Sequence, residues 1–239
     1  MTSSISFMGV QTKAAAGNTD PYWANVVLLA VNDNAGDGTT SFADQSSSAK
    51  TITAIGNTQY DTAQAPTGMT SSGLFDGTND ALTLADSADW DFGTSDFTVE
   101  LMVRFNANAA VTTLCGNYGG ALNGWSFQFR GGEANEATLY HGDTVLIARD
   151  WGASTGVWYH YAVARNGSNL MLFADGAQLG TTATNSTDIS GSTASFRIGE
   201  LATLTVQDFN GWMACLRITK GVARYTANFT PPTLPLPTS

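Results

Sequence analysis

The sequence is poor in helix-favouring residues and in positive charge. Its 239 residues include three lysines and four glutamates, and 20 acidic residues against 10 basic ones give a formal net charge of −10. The 25 glycines, together with many Thr, Ser, Asn and Asp residues, favour strands and turns over helices. We also expect no binding to nucleic acid, because its phosphates require clustered Lys and Arg.

The chain also lacks the segments that direct export or membrane insertion. No stretch approaches the ~18 apolar residues that a membrane span needs, and the first ten residues have neither the basic start nor the apolar centre of a secretory signal. We therefore expect a soluble protein without a signal peptide or membrane span. For the two cysteines, Cys115 and Cys215, buried free thiols are favoured over a disulfide, because nothing indicates an oxidising compartment.

Strand and hairpin patterns dominate what is present. Residues 97–105 alternate apolar and polar side chains, and residues 125–130 repeat the pattern. Residues 157–182 predict three strands joined by tight turns at Asn166-Gly167 and Asp175-Gly176, dipeptides that supply the positive φ angles of hairpins. Similar segments predict twelve to fourteen strands in all. The fold class is therefore all-β, an antiparallel sandwich of two sheets with little helix.

The chain is interpreted as one domain preceded by an arm. Residues 1–20 are small and polar with a run of alanines, which suggests an N-terminal arm that contacts a partner. Residues 21–239 form the domain, including a Pro-rich C-terminal segment. A chain of this length buries roughly 70–75% of its unfolded surface, so no second domain is required.

Several motifs follow one another in a recognisable order. They are residues 74–80 (LFDGTND), the strand 97–105, the meander 157–180 and the segment 209–218 beginning FNGW. This order resembles laminin-G-like (concanavalin A-like lectin/glucanase) jelly-roll domains. Residues 217–232 resemble the variant found in bacteriophage virion proteins, with a C-terminal segment that leaves the last strand and crosses the end of the sandwich. Tyr225 and Phe229 are its predicted anchors.

The resemblance implies a location and partners. It implies a bacteriophage virion surface protein, either a capsid decoration protein or a fibre-like component, whose lectin-like domain mediates adhesion. The partners would be other virion proteins such as the major capsid protein. Exposed edge strands also make a homo-oligomer plausible. The alternative is a carbohydrate-binding module that recognises cell-surface glycans.

Catalytic residues are not evident in the sequence. Glycan-cleaving enzymes of this broad fold carry paired carboxylates about 5 Å apart, and the sequence lacks such a pair. Glu100 alternates with Arg104 on an amphipathic strand and is interpreted as solvated surface. His160 lies in a strand between two tyrosines and is interpreted as a hydrogen-bonded structural imidazole. We therefore expect a non-enzymatic protein.

Asp33 is the one candidate calcium ligand. The resemblance implies an ion held by an aspartate after the first core strand and by an acidic residue in the last strand. Asp33 matches the first position, but Ala214 and Cys215 stand where the second carboxylate is common. A hard cation needs six to eight oxygens. An ordinary turn rich in Asp and Asn is therefore favoured over a structural calcium site, and no other cofactor is expected.

Two loops are candidates for glycan binding. One is the Asn/Gly-rich loop 116–124 with Tyr118 and Asn123, and the other contains Asp150 and Trp151. Aromatic faces can stack on sugar rings while Asp and Asn bond the hydroxyls. For Trp151, a cap on the edge of the core is favoured over a glycan platform, because tryptophan is usually largely buried.

Overall fold

The computed structural model describes residues 19–108, 110–132, 134–201 and 207–239. These residues form sixteen strands and two short 3₁₀ turns, Trp23–Asn25 and Ala88–Trp90. The strands are β1 (Val26–Ala30), β2 (Thr53–Ile55), β3 (Gln59–Asp61), β4 (Ser72–Asp76), β5 (Ala81–Leu84), β6 (Phe97–Phe105), β7 (Val111–Gly116), β8 (Trp125–Arg130), β9 (Glu136–His141), β10 (Thr144–Asp150), β11 (Trp158–Asn166), β12 (Asn169–Ala174), β13 (Ala177–Gln178), β14 (Ala183–Thr184), β15 (Phe196–Ile198) and β16 (Asn210–Lys220).

The strands form two antiparallel sheets, which confirms the predicted sandwich. One sheet has nine strands in the order β13-β12-β11-β6-β16-β4-β3, with β1 beside β16 and β14 beside β12. The other has seven strands in the order β10-β9-β8-β7-β15-β5-β2. The total exceeds the predicted twelve to fourteen because a strand of two residues, such as β14, is too short to show an alternating pattern.

The alternating segments build the core between the sheets. On β6, Phe97 and every second residue to Phe105 are buried, and Trp125 and the two alternating phenylalanines of β8 meet them from the other sheet. Aromatic rings join the layers, with Phe92 stacked on Phe97 at 4.4 Å and on Trp125 at 5.1 Å between centroids. The period-two pattern of these strands is therefore confirmed.

The predicted hairpins are also present. Between β12 and β13, Asp175 and Gly176 both have positive φ angles, 48° and 78°, as the mirror-image turns of tight hairpins require. Between β11 and β12 the register pairs Asn166 with Asn169, so the turn residues are Gly167, at φ 59°, and Ser168. The turn-forming dipeptides of the sequence therefore predicted the positions of both hairpin turns to within one residue.

The C-terminal segment lies elsewhere than predicted. It crosses the outer face of the nine-stranded sheet and not the end of the sandwich, because that face offers an apolar patch. Tyr225 and Phe229 stack on each other at 3.6 Å and cover Ala162, Ala164 and Phe173. The two rings are anchors, as expected. Further along, Leu236 packs on a second apolar cluster of the same domain.

The N-terminal boundary of the domain includes Asp20. Residues 1–18 of the expected arm lie outside the described residues. Asp20 is buried and its backbone N–H donates to the carbonyl of Ser239 (2.8 Å), so this residue belongs to the domain and not to an arm. Both cysteines are buried free thiols, as predicted, and burial raises the pKa of the Cys215 thiol to about 12. No helix in the described part of the chain is long and apolar enough to span a membrane.

Candidate functional site

The loop that follows β7 is held rigidly at its two ends. Asn117 is buried; its side-chain oxygen accepts from the Trp125 N–H (3.1 Å), and its carbonyl accepts from Ser192 Oγ (2.6 Å). Gly124 has a φ of +72°, and a Cβ at this position would lie 2.1 Å from the Asn117 carbonyl oxygen, so glycine is required there. These contacts fix the position of Tyr118, the next residue.

Tyr118 connects this loop to a second turn. Its hydroxyl donates to Oδ1 of Asp143 (2.7 Å), which lies between β9 and β10. The backbone N–H of Asp143 donates to the carbonyl of Ala121 (3.0 Å), so the two turns are also joined through the main chain. The hydrogen bond to the carboxylate raises the pKa of Tyr118 above its ordinary value.

These two turns border a groove of about 260 Å³ on the outer face of the seven-stranded sheet. Polar and aromatic side chains line it, chiefly Tyr118, Gln128, Arg130, Tyr140, Asp143 and Gln207. Arg130 Nη1 lies 3.1 Å from Oε2 of Glu136, so the guanidinium is oriented by an ion pair. Two rings combined with an amide, a carboxylate and a guanidinium suit a ligand with flat faces and many hydroxyl groups.

Five of these six groove residues, all except Tyr118, were not identified from the sequence. Gln128 and Arg130 are the outward-facing residues of β8, and their signal was the alternation with buried phenylalanines. Tyr140 joins them because the register of β8 and β9 places it opposite Ser126. Which strands are neighbours is a tertiary property, so the sequence alone did not bring these side chains together.

The remaining predicted loop residues are distributed differently. Asn123 is exposed in the same loop as Tyr118, and its carbonyl accepts from the Gly119 N–H (3.0 Å). Its side chain does not line the groove. Asp150 is exposed at the far end of β10, roughly 20 Å along the strand from Asp143. The structure therefore brings Tyr118 and Asn123 together and places Asp150 elsewhere.

Trp151 is a core residue and not a glycan platform. Only 6% of it is exposed, and its indole stacks on Tyr161 at 4.5 Å between centroids. Phe105 and Phe129 contact it edge-on from β6 and β8. Neither face of the indole is open to a sugar ring, so its place among the candidate binding residues was wrong. The favoured alternative, a cap on the core edge, describes its position.

A buried ionic cluster lies under the C-terminal segment, on the opposite face of the molecule. Glu100 is 1% exposed; its Oε1 accepts from Arg217 Nε (2.9 Å) and its Oε2 from the Tyr225 hydroxyl (2.7 Å). His160 Nε2 lies 2.9 Å from the same Oε2. Asp20 bridges Arg217 and Arg224, with contacts of 2.9 and 2.7 Å.

This cluster corrects the surface interpretation of Glu100. The carboxylate does point away from the core, but the C-terminal segment covers it. Burial alone would raise the pKa of Glu100, but the charge of Arg217 and the hydrogen bonds from His160 and Tyr225 outweigh burial and hold it well below its ordinary value. The interpretation of His160 as a hydrogen-bonded structural imidazole is confirmed.

Comparison with known families agrees with this architecture. A family model described as the concanavalin A-like lectin/glucanases superfamily matches residues 76–224, more than half of the chain. The chain belongs to the concanavalin A-like lectin/glucanase superfamily. The matched residues include Glu100. They also include β8 and β9, which form the floor of the groove. None of the curated proteins matches the sequence.

Solved structures of similar fold include a domain of an arabinanase and domains of protein toxins. Domain 4 of AbnA, a GH43 extracellular arabinanase from Geobacillus stearothermophilus in complex with arabinotriose, has a TM-score of 0.63 and 19% identity over 83% of this chain and 95% of its own. The binding domain of Paraclostridial mosquitocidal protein 1 has a TM-score of 0.62 and 13% identity over 84% of this chain. A structure of botulinum neurotoxin type C, whose cell entry depends on two ganglioside molecules, has a TM-score of 0.61 and 14% identity, also over 84%. The chain spans about half the length of these two toxin chains.

In this member of the superfamily, hydrogen bonds join the loop that contains Asp33 to residues 60–70. The Tyr60 hydroxyl donates to Oδ1 of Asp33, Asp37 accepts from the Thr62 N–H (3.1 Å), and Asn34 accepts from a backbone N–H (2.7 Å). In the described ranges, no three His, Cys, Asp or Glu side chains gather as metal ligands would. The oxygens of this loop thus bond residues 25 to 36 positions further along the chain, and the absence of calcium remains a prediction.

Proposed function

We propose that this domain binds glycans without cleaving them, and that the groove beside Tyr118 is its binding site. The composition of that groove carries the proposal: two tyrosine rings stand beside Asp143, Gln128 and Arg130 on a rigid sheet. Aromatic faces pack on the apolar faces of sugar rings, and the polar groups bond hydroxyls. The ligands of two fold neighbours, arabinotriose and gangliosides, support the same ligand class.

The non-enzymatic part of the proposal is supported by the contacts of the buried carboxylates. Both oxygens of Glu100 accept hydrogen bonds from Arg217, His160 or Tyr225, and the C-terminal segment covers them. Both oxygens of Asp20 accept from Arg224. Carboxylates used in this way stabilise the fold, whereas an acid and a nucleophile must face a sugar bond from an open cleft.

The proposed setting is the surface of a bacteriophage virion, as a decoration or fibre-like component. The similarity of residues 217–232 to the C-terminal segments of virion proteins supports this setting. Because that segment packs on its own domain through Tyr225 and Phe229, attachment to the major capsid protein or to another copy is assigned to residues 1–18 and the free sheet edges. Removing residues 1–18 should release the protein from purified particles; unchanged attachment would contradict this assignment.

The glycan proposal is tested by substituting one ring. Tyr118→Ala should weaken binding to any glycan found on an array by about tenfold or more, as expected for a central aromatic contact. Tyr22→Ala is the matched control, because Tyr22 is an exposed tyrosine outside the groove. Titration calorimetry would give both affinities. The proposal fails if the wild-type domain binds no glycan, or if the two variants bind equally well.

A further inference from the structure

A row of three side chains lies across the outer face of the nine-stranded sheet. Arg104 on β6 is opposite Trp158 on β11 and also opposite Trp212 on β16, and residues directly opposite in antiparallel strands share a face. All three are partly exposed. The Trp212 indole N–H donates to Oδ2 of Asp61 (2.6 Å), which fixes its ring. The row is thus an ordered surface with two indoles beside one cation.

The charge of Arg104 is free for a ligand. Its guanidinium carbon lies 4.7 Å from the centre of the Trp212 ring, and it has no hydrogen bond or ion pair to any residue the structure describes. The other basic side chains of these ranges are bonded: Lys50 to Asp89, Arg130 to Glu136, Arg149 to the carbonyl of Thr181, Arg165 to the carbonyl of Ser95, Arg197 to Glu200, Arg217 and Arg224 to Asp20, and Lys220 to the carbonyl of Ala88.

A groove of about 510 Å³ extends from this row. Trp158, Met102 and His160 line it from the sheet, and Pro66 and Leu234 belong to the two segments that wall it. His160 is 3% exposed, its Nε2 is committed to Glu100, and its buried Nδ1 has no partner among the described residues. Trp158 therefore belongs to both the row and the groove, and Asp175 is the acidic side chain of the groove lining, whereas the buried Nδ1 of His160 is closed to a ligand.

We propose that Trp158, Arg104 and Trp212 bind an acidic sugar residue, with its carboxylate on Arg104 and its ring against an indole. The guanidinium can hold a carboxylate through two parallel hydrogen bonds. Because the chain has a net charge of −10, most of its surface repels an anionic ligand. Such a ligand should therefore bind where a cation has no ion pair. This site is on the other face of the sandwich from Tyr118, and the inference does not depend on that groove.

A sugar fits this surface better than an acidic peptide. Strands β11, β6 and β16 are interior strands of the sheet, so their backbone groups are already paired and cannot accept an added peptide strand. The two indoles stand two strands apart, about 10 Å, with the cation between them. An indole on each side of a positive charge, at that spacing, matches the first and third rings of a trisaccharide whose middle ring carries a carboxylate.

The test compares two trisaccharides, one with carboxylates and one without. A trimer of galacturonic acid should bind the wild-type domain about tenfold or more tightly than the neutral trimer of galactose, which is the scale of one charge-assisted hydrogen bond. Arg104→Gln should remove this difference. Lys220→Gln, which deletes one charge at the opposite end of β16, should retain it. Added salt should weaken only the acidic trimer.

Three results would overturn the proposal. They are equal binding of the two trimers by the wild type, an Arg104→Gln variant that keeps the preference, and equally tight, Arg104-dependent binding of a glutamate peptide of the same charge. The last result would indicate charge recognition alone. The preference for the acidic trimer is measured through Arg104→Gln and the Tyr118 groove through Tyr118→Ala, so failure of one proposal is distinct from failure of the other. Thermal unfolding of each variant would check that the fold is intact.

Discussion

The buried cluster around Glu100 predicts a large loss of stability from one isosteric change. Glu100→Gln keeps the shape of the side chain but removes the charge that faces Arg217 and the acceptor shared by His160 and Tyr225. Removing one member of a buried ion pair leaves its partner charged and unpaired, which typically costs about 3–5 kcal/mol. Asp20 still contacts Arg217 at 2.9 Å, so we expect a loss near the lower value of ~3 kcal/mol.

The assay is the free energy of unfolding from urea denaturation. Glu136→Gln is the matched control, because Glu136 forms an ion pair with Arg130 at 3.1 Å in which the side chains are 26% and 36% exposed. Exposed pairs contribute about 0–1 kcal/mol. If Glu100→Gln and Glu136→Gln destabilise equally, or if Glu100→Gln costs less than ~1 kcal/mol, the cluster does not stabilise the covering segment and the reasoning is refuted.

Three further predictions concern pH, the core and calcium. The pKa values of Glu100 and Asp20 are lowered in the fold, so the stabilisation that these carboxylates provide is complete above the ordinary carboxyl pKa of about 4 and is lost as the pH falls. Between pH 5 and 2, the free energy of unfolding should therefore depend less steeply on pH in Glu100→Gln than in the wild type. Equal slopes for the two proteins would contradict this. Trp151→Ala should lower stability by about 3–5 kcal/mol without a direct effect on the Tyr118 groove, whereas a loss under ~1 kcal/mol would contradict its core position. Because an oxygen of Asp33 already accepts a hydrogen bond from the Tyr60 hydroxyl, the melting temperature should be the same in millimolar calcium as in the presence of a chelator. A higher melting temperature in calcium would indicate that Asp33 is a calcium ligand after all.

The apolar residues of β6 and Glu100 on the same strand show where the analysis of sequence patterns succeeds and where it fails. The alternation in β6 identified the core side of the strand correctly, because one face of a strand must be apolar to pack on the other sheet. It placed Glu100 in solvent, because a polar second face normally contacts water. A segment 125 residues later covers that face, as the bond from Tyr225 shows, and no local pattern reveals such a cover.

The binding surfaces were predicted only in part. Tyr118 was identified because an aromatic ring in a polar loop can stack on a sugar, but its neighbours Tyr140 and Arg130 come from strands. Trp158 and Trp212 were read as strand residues. Their outward direction follows from the period of two, but the pairing of both with Arg104 depends on the order β11-β6-β16.

The sequence by itself determined the class of fold, the turn positions and the core faces of the long strands. These follow from local rules: a period of two places alternate side chains on one face, and turn dipeptides supply positive φ angles. The tertiary structure alone decided which strands are neighbours, what the C-terminal segment covers, and therefore which charges are buried and which are free. Glu100 and Arg104 illustrate this, since they lie four residues apart on the same face of β6. Glu100 is buried in an ion cluster, whereas Arg104 is partly exposed and lies over the Trp212 ring.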